Sequence, residues 1–259
     1  MKMQSKYVSK KPDHNGFVCY DEVENNTWHA LIERQFKIVA SRACEEYLQG
    51  LEILSFSRDR IPQIPDLNLR LKKETGWQVE PVPALIGFDR FFKLLSERKF
   101  PCATFIRIPE ELTYIQEPDI FHELFGHCPM LTHPVYAEFM QRYGQLGIGQ
   151  PHDIQRLLAR FYWFTIEFGL INTKKGLRCY GGGILSSIGE TVYALEDPMV
   201  RYEKFDALNI LRTPYRIDIY QPLYYVINSY ESIYNVLKGD FIKLIVKSQS
   251  LPEFEPLYK

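Results

Sequence analysis

A single, mostly helical α+β domain is what this sequence predicts, and three observations predict it. Apolar residues recur at helical spacing over long stretches, most plainly at Leu157, Leu158, Phe161, Phe164 and Phe168. Segments of extended character are short and interrupted by proline. No repeat, linker or shift of composition divides the 259 residues, a length one core can serve.

Taken in order, residues 1–21 read as irregular, with Pro12, Asn15 and Gly16 as turn signals. From about Asn26, the spacing of Trp28, Leu31, Ile32, Phe36, Val39, Ala43 and Tyr47 predicts one helix that Gly50 ends. A rigid turn at Ile61–Asp66 leads to a short helix ending near Gly76. Residues 77–86 read as extended, Phe88–Leu95 as a helix, and Phe100–Ile108 as a strand with Arg107 at its end. Tyr136–Leu146 predicts a helix, and Gly147 and Gly149 a break. The strongest helix signal follows, from Asp153 to Gly169. After Gly181-Gly182-Gly183 a further helix runs to about Leu195. A strand within Tyr215–Tyr225, a final helix over Ser229–Leu237 and a polar tail from Gln249 complete the chain.

Composition narrows the function. The net charge is −1, from 31 basic and 32 acidic residues, so there is no global electrostatic footprint for nucleic acid. The basic start, Lys2 to Lys11, has no apolar stretch after it and does not read as a signal peptide. No run of about 18 apolar residues predicts a membrane span. The 5 cysteines are widely spaced, without Cys-x-x-Cys, which suits reduced thiols in a cytoplasm.

The chemistry concentrates in Pro118-Asp119-Ile120-Phe121-His122-Glu123-Leu124-Phe125-Gly126-His127-Cys128-Pro129, where two of the 6 histidines stand five residues apart among apolar neighbours. Buried polar groups need partners, and a metal is the first candidate. On an α-helix side chains five apart diverge by about 140°. The spacing therefore disfavours the His-Glu-x-x-His geometry of zinc proteases. It predicts instead a bend after Gly126, with Pro129 restricting Cys128. Glu167, alone in the apolar run Phe161–Phe168, is the candidate third ligand. Two histidines and one carboxylate with open positions form the facial triad of non-haem iron(II) oxygenases, although zinc remains open on spacing alone. Asp119, one turn before His122, is a candidate acceptor for its second ring nitrogen. Two rivals remain: a zinc hydrolase with Glu123 as base, and a structural metal site.

Four motifs then occur in register: Pro118-Asp119-x-x-His122-Glu123-Leu124-x-Gly126-His127, Tyr162-Trp163-Phe164-Thr165-Ile166-Glu167-Phe168-Gly169, Tyr180-Gly181-x-Gly183-x-Leu185-Ser186-Ser187-x-Gly189-Glu190 and Gln221-Pro222-Leu223-Tyr224-Tyr225. In order and content they resemble the pterin-dependent aromatic amino acid hydroxylases, over about residues 60–230. The resemblance implies a mainly α catalytic domain, a basket of helices with short strands around Fe(II). It implies His122, His127 and Glu167 as iron ligands and tetrahydrobiopterin or a related tetrahydropterin as cofactor. It further implies Arg107 on the substrate carboxylate and Ser186 and Asp119 near the bound amino acid. Pro118, Trp163 and Phe168 would be walls of the aromatic pocket. Toward the pterin it implies Phe91 as the stacking ring, Val82, Leu85 and Ile86 as the contacting loop, and Glu123 and Tyr162 nearby.

Departures from the animal pattern fall in that loop, at Pro83, Ala84, Gly87 and Phe88, and at Ile115, where the animal enzymes have a threonine. Trp163 and the apolar Ile217 imply phenylalanine as substrate, hydroxylated to tyrosine with O2; tyrosine hydroxylation is the alternative. The resemblance also implies that residues 1–259 form one catalytic domain, monomeric or at most dimeric. It would lack the regulatory domain and tetramerisation helix of the animal members.

Overall fold

The computed structural model describes residues 7–113, 115 and 117–258. Its first helix, α1 (Glu22–Val39), is fixed by a reciprocal capping box: the Asp21 side chain accepts from the Glu24 N–H and the Glu24 side chain from the Asp21 N–H. The single helix expected as far as Gly50 is two. The chain leaves α1 at Ala40 because the Cys44 N–H donates to Cys179 O and the Cys179 N–H to Arg42 O, which ties the turn to a distant strand. Helix α2 (Glu45–Leu54) then contains Gly50 rather than ending at it. A Cβ on Gly50 would lie 2.2 Å from the Pro129 carbonyl oxygen, so glycine there permits close helix-to-backbone approach.

Helix α3 (Ile64–Thr75) ends at Gly76, in the left-handed region at φ 76°. A parallel unit follows: β1 (Gln78–Val82), α4 (Phe88–Ser96) and β2 (Lys99–Ala103), with Gln78 opposite Lys99 and Val82 opposite Ala103. The strand expected to reach Ile108 stops at Ala103. Beyond it, residues 104–108 lean on the N-terminal segment: Thr104 Oγ1 donates to Lys10 O, the Thr104 N–H donates to Ser9 Oγ, and Tyr7 stacks on Phe105.

Helices α5 (Pro134–Gly147) and α6 (His152–Tyr162) come next. The hairpin β3 (Leu170–Thr173) and β4 (Gly176–Cys179) precedes α7 (Gly182–Leu185) and α8 (Ile188–Glu196). Then come β5 (Arg201–Lys204), α9 (Ala207–Arg212), β6 (Leu223–Ile227), α10 (Tyr230–Lys238) and α11 (Phe241–Gln249). The four strands form one mixed sheet in the order β4-β3-β6-β5, antiparallel only at the hairpin. The strand expected within 215–225 begins only at Leu223, since the preceding loop gives backbone carbonyls to the Gln221 side chain. Helix α11 was not expected. Asp240 starts it by accepting from the Lys243 N–H.

Most of this folds around the 118–129 stretch. Phe121 and Phe125 stack at 4.9 Å, and Trp28 of α1 meets Phe121 edge-on at 5.4 Å. Replacing Gly50 by Ala should destabilise the fold by about 1–3 kcal/mol despite the better helix propensity of Ala. Urea denaturation should show a lower midpoint with an unchanged slope.

Candidate active site

The histidine spacing is accommodated by a change of helical pitch, and the bend expected after Gly126 is not what joins them. Residues His122–His127 form a π-helical turn, and its i→i+5 bonding widens the circuit by about one residue. Side chains five apart, divergent on an α-helix, thereby converge: His122 Nε2 and His127 Nε2 lie 3.1 Å apart. The helix expected to continue to Gly169 changes pitch in the same way. Trp163–Glu167 is π-helical, closed by the Phe168 N–H donating to Trp163 O at 2.9 Å. Glu167 Oε1 is 3.3 Å from His127 Nε2, and Oε2 is 3.6 Å from His122 Nε2.

Behind this triad sits the glycine run. A Cβ on Gly182 would fall 2.4 Å from the His127 ring. His127 is packed against Gly182 and on Phe100 at 5.1 Å, and its buried Nδ1 has no hydrogen-bond partner among the described residues.

Ser186 fixes the other imidazole. Its hydroxyl donates to Gly182 O at 2.8 Å and lies 2.9 Å from His122 Nδ1. A hydroxyl whose proton is engaged must accept, so His122 carries its proton on Nδ1 and turns the Nε2 lone pair inward. Asp119, expected to take that ring nitrogen, accepts the backbone N–H of His122 instead, at 3.0 Å. Burial pushes the His122 pKa down to about 4, which keeps the ring neutral.

Two carboxylates flank the pair, since Glu123 also brings an oxygen within 4.8 Å of both histidines. Their electrostatics separate them. Burial raises both, but at Glu167 the facing His127 and His122 outweigh it and hold the carboxyl below its usual range. At Glu123 burial dominates, reinforced by the Glu167 and Asp119 charges, and the carboxyl is raised well above that range. One lone pair from His122, the His127 nitrogen and an anionic Glu167 thus surround a single point. That donor set fits a divalent cation with open positions, of the kind iron(II) oxygenases use.

The point lies on the wall of a cavity of about 400 Å³. Val82, Leu85, Ile86, Phe91, Glu123 and Tyr162 line it. Arg107, Pro118, Trp163, Phe168 and Ser186 also line it, as do His122 and Glu167. Ile115 and Ile217 are in the lining as well. Of the sequence candidates only His127 and Asp119 are set back. Asp119 is fully buried behind Arg107, whose Nε and Nη2 donate to its two oxygens at 2.8 Å each. The Arg107 charge outweighs burial and holds the Asp119 carboxyl below its usual range.

Sequence reasoning missed Glu190, a lining residue only 4% exposed. It accepts from the Gln221 N–H at 3.0 Å and from the Tyr224 hydroxyl. Its place three residues after the Ser187 cap was the signal, but the carboxylate does not return to the helix start. Burial pushes its pKa from 4.5 up to about 7. Being raised in the folded state, this carboxyl stabilises the fold most below its unfolded pKa, and the contribution is lost as pH rises through about 7. Glu190→Gln keeps an acceptor and removes the titration. From about pH 5 to about pH 8 the variant should gain on the order of 2 kcal/mol over the native chain, read by urea unfolding at each pH.

Ser186→Ala leaves His122 Nδ1 without its acceptor. Metal affinity should fall by roughly 10–100-fold, as titration with a competing chelator would show.

Comparison with known proteins adds a further line. Residues 3–257 match the family described as biopterin-dependent aromatic amino acid hydroxylase. A phenylalanine-4-hydroxylase of Pseudomonas aeruginosa is 50% identical over 254 residues, covering 98% of this chain and 97% of that protein. The phenylalanine hydroxylase structure from Legionella pneumophila superposes with a TM-score of 0.95 at 52% identity, over 97% of this chain and 100% of that one. The Chromobacterium violaceum phenylalanine hydroxylase with bound oxidised Fe(III) gives a TM-score of 0.89 at 41% identity, over 94% of this chain and 91% of that one.

Proposed function

The chain belongs to the biopterin-dependent aromatic amino acid hydroxylases, and from that premise we propose that it hydroxylates L-phenylalanine to L-tyrosine, with Fe(II) held by His122, His127 and Glu167. The observation that carries the reading is the convergence of two imidazole nitrogens and an anionic carboxylate on one wall of an aromatic cavity that also contains Arg107.

Bound iron with a tetrahydropterin supplies the activation of O2 and the delivery of one oxygen atom to the ring. The protein's own residues bind, orient and exclude water. Arg107 offers its guanidinium to the substrate carboxylate while Asp119 holds it from behind, so the anchor is set before substrate arrives. Trp163, Phe168 and Pro118 receive the ring. Ser186 keeps the His122 proton on Nδ1 and so leaves Nε2 for the metal. On the pterin side Phe91 offers a stacking face beside Val82, Leu85, Ile86 and Tyr162. Glu123, whose carboxyl burial raises well above its usual range, lines the cavity beside them.

The five-residue histidine spacing on a π-helical turn disfavours the zinc-hydrolase alternative, whose His-Glu-x-x-His pair stands four apart on an α-helix. A structural metal site would be closed by four ligands, whereas this one faces a cavity. Tyrosine as substrate is the alternative within the family. The apolar Ile115 and Ile217 in the lining support phenylalanine over a ring that carries a hydroxyl. The reading extends to one catalytic domain over 1–259, monomeric or dimeric, working in the cytoplasm. Its 5 thiols are free and 4 of them buried.

Tyrosine should accumulate from phenylalanine only when iron(II), a tetrahydropterin and oxygen are all present; no product from the complete mixture overturns the reading. Arg107→Ala should raise the phenylalanine KM by about 10–100-fold, the worth of a charged hydrogen bond, and leave the pterin KM near its starting value. His122→Ala, His127→Ala and Glu167→Ala should each abolish stoichiometric iron binding while far-UV circular dichroism stays native.

A further inference from the structure

Gln221 has no part in the chemistry above and lies behind the cavity wall, 1% exposed. Its amide nevertheless makes three bonds, each to the aromatic side of the site. Oε1 accepts from Trp163 Nε1–H at 3.0 Å, and Nε2 donates to Arg216 O at 2.9 Å and to Ile219 O at 3.0 Å. Its backbone N–H is held in turn by Glu190 at 3.0 Å. Residues 215–220 have no helix or strand of their own, yet Ile217, Ile219 and Tyr220 line the cavity, as Trp163 does on its facing element. Tyr215 of the same loop stacks on Trp163 at 4.8 Å. Only a neutral amide offers an acceptor and two donors together at this reach. One buried side chain therefore joins the indole wall to the loop.

We propose that Gln221 is a positioning residue for substrate selection: it fixes the separation of Trp163 from the 215–220 loop, and so the width of the slot that receives the aromatic ring. A slot held at one width accepts a single six-membered ring and resists a larger one. With the clamp released, the loop moves outward and the discrimination falls. This rests on the reading that the cavity takes an aromatic amino acid.

The test uses Gln221→Met, which keeps length and removes all three side-chain bonds, and Gln221→Glu, which keeps only an acceptor for the indole. The ratio of kcat/KM for phenylalanine over tryptophan should fall by about tenfold in Gln221→Met and by less in Gln221→Glu, with the pterin KM unchanged. The tyrosine formed per tetrahydropterin oxidised should fall in parallel. Independently of turnover, amide hydrogen exchange in 215–221 should quicken by roughly tenfold, with β3 and β6 unaffected. Should Gln221→Met fail to fold, Gln221→Glu carries both measurements. A folded variant with native selectivity and native exchange overturns the proposal. An unmutated chain that hydroxylates neither amino acid overturns the functional reading instead, and the exchange measurement still decides the clamp.

Discussion

The Asp119 carboxylate is the constraint on which the site depends. It is fully buried and takes four N–H groups: the Nε and Nη2 of Arg107, the backbone of Arg107 and the backbone of His122. One anion thus fixes the proposed substrate anchor and the start of the ligand-bearing turn relative to each other. A buried ion pair adds little net stability, but removing either partner costs about 3–5 kcal/mol because the other is left uncompensated. Among the described residues the segment carrying Arg107 has no strand partner after Ala103, and it rests on the Ile120 N–H to Phe105 O bond, the Tyr20 hydroxyl on Thr104 O and residues 7–10. Without Asp119 little else would hold the guanidinium at the cavity.

Around that anchor the protein departs from regular helix at both segments that carry the proposed metal ligands. An α-helix places four-apart residues on one face, whereas this site needs residues five apart on one point. Two π-helical turns meet the need, and each carries weaker packing of its own backbone than an α-turn. The surrounding core supplies the compensation: Phe125 of the first turn stacks on Phe121, which Trp28 meets edge-on, and Tyr215 and Phe168 bracket Trp163 in the second.

The candidate ligands were legible in the sequence because charged and imidazole side chains in apolar surroundings require a reason. Pitch was not, since no residue type signals a π-turn; the five-residue spacing hinted at it only by failing to fit an α-helix. The break at residues 40–44 was hidden because Ala43 and Tyr47 stay in phase with α1, and what breaks the helix is a contact with Cys179 far along the chain. The strand over 104–108 was misjudged for a similar reason: Thr104 and Phe105 are held by the irregular segment of residues 7–10 and not by a strand partner. Ser186 read as a substrate contact and does line the cavity; its bonds to His122 and Gly182 were not legible, because they depend on hydroxyl direction and not on residue type.

The two π-turns have a consequence for how this site tolerates change. Each contains one residue more than an α-helical circuit over the same span, so the convergence of the three donor atoms is recorded in chain length as much as in residue identity. Conservative replacements within 122–127 or 163–167 leave that count intact. Excising one residue from either segment would favour regular α-helical bonding while turning one donor atom away from the other two. Length in these two short segments is therefore under a constraint that runs against the local stability of the helix.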